Sequence, residues 1–251
     1  MASRPKLWAV LSWLAVWQGG SMALRAAYRH GSLLLASPAG VVRRLAELLP
    51  DPAFWRAAGN SSARIFGGFL LSCALAVSLA ALAAGSRWLR ELLAPLVAVV
   101  KAVPVASFII LALVWLGPES LPLFISALMV FPPVYLSVLE GIRQADPALL
   151  ELAQVYRVPL RRRLWGIWIP QVLPYFRAAS SLALGLCWKA GVAAEVIGLP
   201  SGTIGERLYT AKIYLQTPDL FAWTVVVLSL SAVFERLFLG AVDALAGEAG
   251  R

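Results

Sequence analysis

Long apolar runs separated by short polar interruptions organise this chain. Six of them read as membrane spans: Leu7 to Leu24, Ile65 to Ala84, Leu92 to Leu116, Leu121 to Leu139, Ala178 to Leu199, and Leu220 to Ala241. A span needs about 20 mostly apolar residues, and lipid leaves backbone groups no partner outside a helix or a closed barrel. Runs of this length point to helices, so the fold predicted is all-α, a polytopic membrane protein with six transmembrane helices. Ser12, Gln18, Gly19 and Gly20 make the first run the weakest, while Pro95, Lys101 and Pro104 in the third and Pro132 and Pro133 in the fourth predict kinked or broken helices.

Between runs one and two, Pro38, Pro50 and Pro52 surround VVRRLAELL, whose leucines and charges alternate at helical spacing, as in a helix lying on a membrane surface. Two runs carry a small residue at every fourth position, Gly68, Ser72, Ala76, Ala80 and Ala84 in one and Ala179, Ala183, Cys187 and Gly191 in the other. Such faces let helix backbones approach closely in lipid. Asp146 followed by Pro147 starts a helix of about ten residues, with Leu149, Ala153 and Tyr156 on an apolar stripe suited to a partner's groove and Glu151 and Gln154 facing elsewhere. Val158 before Pro159 places a turn near Arg157. A second, basic helix holding Arg161 to Arg163 follows, and Pro170 and Pro174 are expected to turn the chain back towards the membrane.

Composition agrees: with 60% hydrophobic and 14% charged residues, the chain cannot hide its apolar surface in one soluble core. A net charge of +9 would suggest nucleic acid for a soluble domain, but here the basic residues sit mainly at the ends of apolar runs and in loops, where lipid headgroups are the partner. Arg4, Lys6, Arg87, Arg90, Arg143, Arg157, Arg161, Arg162, Arg163 and Arg236 fall on one side of a six-span topology. Taken as cytoplasmic, that side holds both termini. Arg25, Arg29, Arg43, Arg44, Arg56, Arg64, Arg207 and Lys212 then fall outside, against the rule. The first run has no convincing cleavage site and is expected to stay. Cys73 and Cys187 lie within apolar runs and read as packing residues.

The polar interruption between runs four and five, ELAQVYRVPLRRRLWGIWIP, follows a particular spacing: Glu-Ala-Ala, three residues, Gly, nine residues, Ile, any residue, Leu-Pro. Glu151, Ala153, Ile167 and Pro170 match it, Leu152 and Ile169 are substitutions, and Arg157 stands at the glycine. The chain resembles the inner-membrane permease subunits of binding-protein-dependent ABC transporters. The segments LLAPLVAVVKAVPVASFIILALVWLG, FPPVYLSVLEGIR and LGLCWKAGVAAEVIGLPSGTIG extend the likeness from about Asn60 to Phe238, towards the sulfonate, taurine and nitrate type. The resemblance implies a permease region over 60–241, between an N-terminal helix and loop over 1–59 and a tail over 242–251. It implies a cytoplasmic coupling loop over 141–173, between helices 4 and 5, through which Asp146, Leu149, Glu151, Ala153, Tyr156, Arg157, Ile167 and Pro170 engage a separate ATPase. It further implies an extracytoplasmic solute-binding protein, a dimer of permease chains, and a solute such as a sulfonate or a similar small nutrient. No G-x-x-x-x-G-K-[ST] phosphate loop occurs, so ATP is expected on the partner and no cofactor on this chain. An arginine held in the left-handed conformation of a helix-closing glycine costs about 1 kcal/mol. Either the turn has another geometry, or the terminal carbonyls or an acidic group on the partner stabilise Arg157.

Ionisable residues inside a span cost roughly 2.5–3.5 kcal/mol and mark sites or paired charges. Lys189, near the middle of span five, either faces the translocation path and attracts an anion or pairs with another span or subunit. Glu195 follows, about 9 Å along the helix and about 120° around it, nearer the outer boundary, where a structural role is favoured. Lys101 is expected to snorkel towards the inner surface. Trp8, Trp13, Trp17, Trp88, Trp115 and Trp223 read as interfacial anchors, and Trp165 and Trp168 as lying on the membrane surface. GLPSGTIG lacks the lysine of a phosphate cradle and reads as an external turn. His30, the only histidine, lies in the polar stretch outside the first span, and no carboxylate pair occupies one span, which argues against an intramembrane enzyme. A gradient-driven secondary transporter stays open, although it leaves the spaced loop unexplained.

Overall fold

Helix starts are written locally into this chain. Ser37 accepts a hydrogen bond from Gly40 N–H ahead of Pro38, and Asp51 accepts from Ala53 N–H ahead of Pro52. Ser86 and Asp146 cap in the same way, each filling one of the amide vacancies that every helix start leaves open. The computed structural model describes residues 7–29 and 31–249, and every regular element among them is helical. In order these are α1 (Leu7–Ala27), α2 (Gly31–Leu34), α3 (Pro38–Leu48), α4 (Pro52–Gly85), α5 (Arg87–Ala102), α6 (Val105–Trp115), α7 (Leu121–Arg143), α8 (Pro147–Val155), α9 (Leu160–Arg163), α10 (Ile169–Gly198), α11 (Ile204–Ile213) and α12 (Thr217–Ala249). Arg4, Lys6 and His30 lie outside the described residues.

Five helices among those described are long and apolar enough to cross a membrane, and a sixth crossing is available if α5 and α6 are taken together. The expected third span is therefore broken, with α5 and α6 meeting at 110° around Val103 and Pro104. Pro104 cannot donate to a continuing helix, and its ring disfavours helical geometry at Val103. In the fourth span Pro132 and Pro133 leave α7 unbroken over 23 residues. Ser72 Oγ donates to Ala127 O at 2.7 Å beside that stretch, and α4 and α10 pack along the helix and hold it. Lipid-embedded helices tolerate proline where neighbouring helices pack against them.

α7 is the central element, packed along both α4 and α10. Gly68, Ser72, Ala76 and Ala80 are buried on α4, and a Cβ on Gly68 would lie 2.3 Å from the carbonyl oxygen of Leu123, so the backbones touch as the small stripe predicts. Ala179, Ala183, Cys187 and Gly191 are buried on α10, where Ser126 Oγ of α7 donates to Cys187 O at 3.3 Å. Gly68 meets the first turns of α7, while Val77 and Ala81 share a cavity wall with Val138 and Ile142 near its end. α4 and α7 thus run parallel, and the α5–α6 pair carries the chain back between them. The boundary expected at 59/60 falls inside α4, which Asp51 starts at Pro52, and the one at 241/242 falls inside α12.

The amphipathic stretch forms α3, which packs on α12 through Val41 and Ala222 and through an ion pair between Arg44 and Asp219. Among the basic residues placed against the orientation rule, Arg43 and Arg44 pair with Glu47, and Arg64 pairs with Glu119. Trp8, Trp13, Trp88 and Trp115 are exposed, as interfacial anchors require, and Trp17 donates its indole N–H to Ala36 O at 2.9 Å. Trp223 departs from that reading: it is 3% exposed and stacks on Phe54 with ring centroids 5.0 Å apart. The helix that begins at Pro52 places Phe54 against it, and that contact consumes the ring.

Candidate functional site

The spaced loop builds a short helix on a narrow base. Asp146 accepts from Ala148 N–H at 2.9 Å and starts α8, which runs for 9 residues. Two side chains of α10 hold its entry: Gln171 Oε1 accepts from the backbone N–H of Asp146 at 2.7 Å, and Tyr175 Oη donates to Gln144 Oε1 at 2.5 Å. Tyr175 also fills the space a side chain would need at Gly141, where a Cβ would lie 2.9 Å from the ring. Gln144, Gln171, Tyr175 and Gly141 were not foreseen; polar residues at the ends of apolar runs are the only sequence signal they carry.

At its end α8 closes on Arg157, whose φ of 49° is left-handed. Val158 N–H reaches Ala153 O at 2.9 Å and Arg157 N–H reaches Gln154 O at 3.0 Å, the paired bonds of a glycine-type helix stop. The glycine geometry therefore survives the arginine, at a cost of about 1 kcal/mol, and the alternative of a different turn is ruled out. Pro159 then starts the next segment.

The face of α8 differs from the stripe expected. Ala153 is 3% exposed and faces its own chain, whereas Leu149 is exposed together with Leu152, Val155 (77%) and Tyr156 (74%). Helical geometry sets these four on one side about 120° wide. Ala153 has the smallest side chain of the set, and its position is the one the bundle touches. Glu151 is exposed beside this face.

Pro170 and Pro174 do not turn the chain. α9, a π-helical turn over Leu164–Trp168 and α10 form one helix of 39 residues, from Leu160 to Gly198. Ile169 N–H bonds to Leu164 O, five residues back, and this wider turn makes room for the ring of Pro170, which has no N–H to give. Ile167 sits inside that π turn. Trp165 is exposed and Trp168 half-buried beside it.

At the opposite end of the bundle lies Glu195, for which a structural role is favoured, and it is buried in the bundle instead of lying at its boundary. It is 0% exposed. Its Oε2 accepts from Ser61 Oγ at 2.8 Å and from Gly205 N–H at 3.0 Å, and Ser61 Oγ in turn accepts from Ile204 N–H at 2.9 Å. Leu199, left-handed at φ 53°, reverses the chain after α10, so that α11 begins against Glu195. A Cβ on Gly205 would lie 2.2 Å from that of Glu195, so only glycine admits this approach. GLPSGTIG is accordingly a tight turn capped by Thr203, which accepts from Glu206 N–H, while Glu206 accepts from Gly202 N–H at 2.6 Å. The Thr203-x-x-Glu206 spacing was a readable helix-start signal. Lys189 behaves differently from Glu195: it is exposed on α10 and makes no ion pair among the described residues.

An exposed apolar helix face at one end of a bundle of spans, held by a few side-chain bonds, can enter a groove on another protein. Residues 74–245 match the family described as binding-protein-dependent transport system inner membrane component. The chain is 30% identical over 235 residues to a putative aliphatic sulfonates transport permease protein of Escherichia coli (strain K12), covering 90% of this chain and 87% of that one. A protein of the same description from Bacillus subtilis (strain 168) is 30% identical over 216 residues, covering 85% and 76%. A taurine transport system permease protein of Escherichia coli (strain K12) is 24% identical over 204 residues, covering 81% and 71%.

Proposed function

The chain belongs to the family of binding-protein-dependent transport system inner membrane components, and on that premise we propose how it is driven and what it carries. It is a multi-pass membrane protein, the permease subunit of an ABC importer. In our reading α8 seats its apolar face, Leu149, Leu152, Val155 and Tyr156, in a groove on a separate ATPase subunit, which binds and hydrolyses the nucleotide. This chain itself holds no cofactor. Closure of the ATPase pair moves α8, and α8, tied through Gln171 and Tyr175 to α10, tilts the spans between two access states. The observation that carries the proposal is the exposure of that face on a helix whose cap, stop and base are otherwise fully built.

A second copy of this chain completes the solute path across a two-fold axis, and an extracytoplasmic solute-binding protein delivers the solute. The α8 end, with both termini, lies in the cytoplasm of a bacterial cell. Lys189, exposed on α10, lines the path and favours a small organic anion. The relatives named for aliphatic sulfonates and taurine support a sulfonate. Glu195 is not part of the path in this reading; it locks α10 to α4 and α11.

Recovery of an ATPase with the tagged chain from membranes, together with ATP-dependent sulfonate uptake by the purified complex in proteoliposomes, is the expected result. Uptake driven by an ion gradient without nucleotide would overturn the proposal. Labelling of a cysteine placed at Arg161 from the extracytoplasmic side would overturn the orientation.

A further inference from the structure

A cavity of about 830 Å³ opens at the α8 end of the bundle, where the last turns of α4 and α7 meet the start of the long helix that continues into α10. Ala81 and Gly85 form one wall, Val138 a second, and Leu164 and Trp168 a third. Apart from one glycine its lining is apolar, with a single charged residue, Arg143, and no carboxylate. On α4 the wall extends from Val77 to Gly85, about 12 Å along the helix axis. Arg161 and Arg162 are exposed on α9.

The geometry points to a binding site for an anionic phospholipid: an acyl chain in the apolar cavity and the phosphate at Arg143, the one charged residue on its wall. A volume within about 300–1,000 Å³ is that of a small-molecule site. A flexible hydrocarbon chain fits such a space. Basic pockets between membrane helices on the cytoplasmic side select anionic headgroups, because a guanidinium pairs with phosphate through charge-assisted hydrogen bonds and neutral or zwitterionic lipid offers less net charge. Because the cavity wall includes the π turn and α10, a lipid held there touches the same helix that anchors α8.

The test uses the complete transporter extracted in mild detergent, with bound lipid counted by native mass spectrometry after supplying mixed phosphatidylglycerol and phosphatidylethanolamine. Phosphatidylglycerol is expected to be retained at about one molecule per permease chain and enriched several-fold over phosphatidylethanolamine. Arg143→Gln, a substitution of an exposed residue, is expected to abolish the preference for the anionic lipid, and Ala81→Trp to lower total retention by filling the cavity. Equal retention of the two lipids by the natural chain, or retention unchanged by both substitutions, would overturn the proposal. Loss of the dimer in Ala81→Trp with lipid retention intact would assign the cavity to a second copy instead and overturn it equally. None of these readings depends on ATP or transport, so failure here is distinct from failure of the coupling proposal.

Discussion

The two ends of the bundle solve opposite problems. At the α11 end, a buried carboxylate, a hydroxyl and two backbone amides are cross-linked within one chain, Glu195 with Ser61, Ile204 and Gly205, and ion pairs surround the rim at Arg64–Glu119 and Arg44–Asp219. At the α8 end, a helix of 9 residues exposes its larger apolar side chains and is tied at its base by Gln171 and Tyr175. The first end is closed by bonds within the chain, where removing Glu195 or Ser61 strands a backbone amide away from water and Glu195 Oε1 is buried with no partner among the described residues. The second is open, since its apolar face has no partner among the described residues. A protein that transmits movement needs both: one end rigid enough to define the lever and one end free to be pushed.

Substitutions can break this contrast. Glu195→Ala removes the acceptor for two buried donors, each worth roughly 1–3 kcal/mol when stranded, so a thermal melt of the purified protein should shift downwards clearly. Glu195→Gln, which keeps an acceptor oxygen, should lose less. An unchanged melt in the alanine variant would mean that the cross-links at this end do not hold it. Val155→Asp should leave the melt unchanged but weaken capture of the ATPase by about 2 kcal/mol, or about 30-fold, as expected of a central apolar contact; equal capture would remove α8 as the socket. Arg157→Gly relieves a left-handed arginine worth about 1 kcal/mol, so the amide of Val158 should exchange about 5-fold more slowly. Faster exchange would mean that the arginine contributes contacts of its own.

The smallest effect sharpens the picture at the rim. Hydrogen bonds from Arg44, and next from Arg43, hold the carboxyl of Glu47 below its ordinary value of about 4.5. Because the folded carboxyl titrates lower than the unfolded one, this pairing contributes stability above pH 4.5, and the contribution is lost as pH falls through the folded value. The Glu47 side chain is 45% exposed, so solvent screens the pair. A melt compared between pH 7 and pH 3 should show only a slight loss attributable to Glu47, measured as the difference from Glu47→Gln.

Much of this was legible in the chain before any coordinates. The caps at Asp51 and Asp146, the small-residue faces of α4 and α10, and the spaced loop are local patterns, and each acts within a few residues or along one helix. Trp223 was misread because its stacking partner, Phe54, is far away in sequence. The π turn was hidden because Pro170 alone predicts a break, and only the uninterrupted packing of α10 against α7 makes a widened turn the better solution. Ala153 was assigned to the outward stripe because periodicity cannot say which side of a short helix its own protein covers.

By itself the sequence determined the class, the apolar segments, the helix starts and the spacing of the loop, because hydropathy and capping are set by neighbouring residues and by the length a bilayer demands. It also carried the left-handed stop at Arg157 as one of two stated possibilities. Only the tertiary structure decided that Glu195 is locked away while Lys189 is exposed, that α7 continues unbroken through two prolines, and that Leu152 and Val155 join the open face of α8. Each of those outcomes depends on which remote side chain or backbone carbonyl arrives to satisfy a group. That is a property of packing between helices and is written in no single segment.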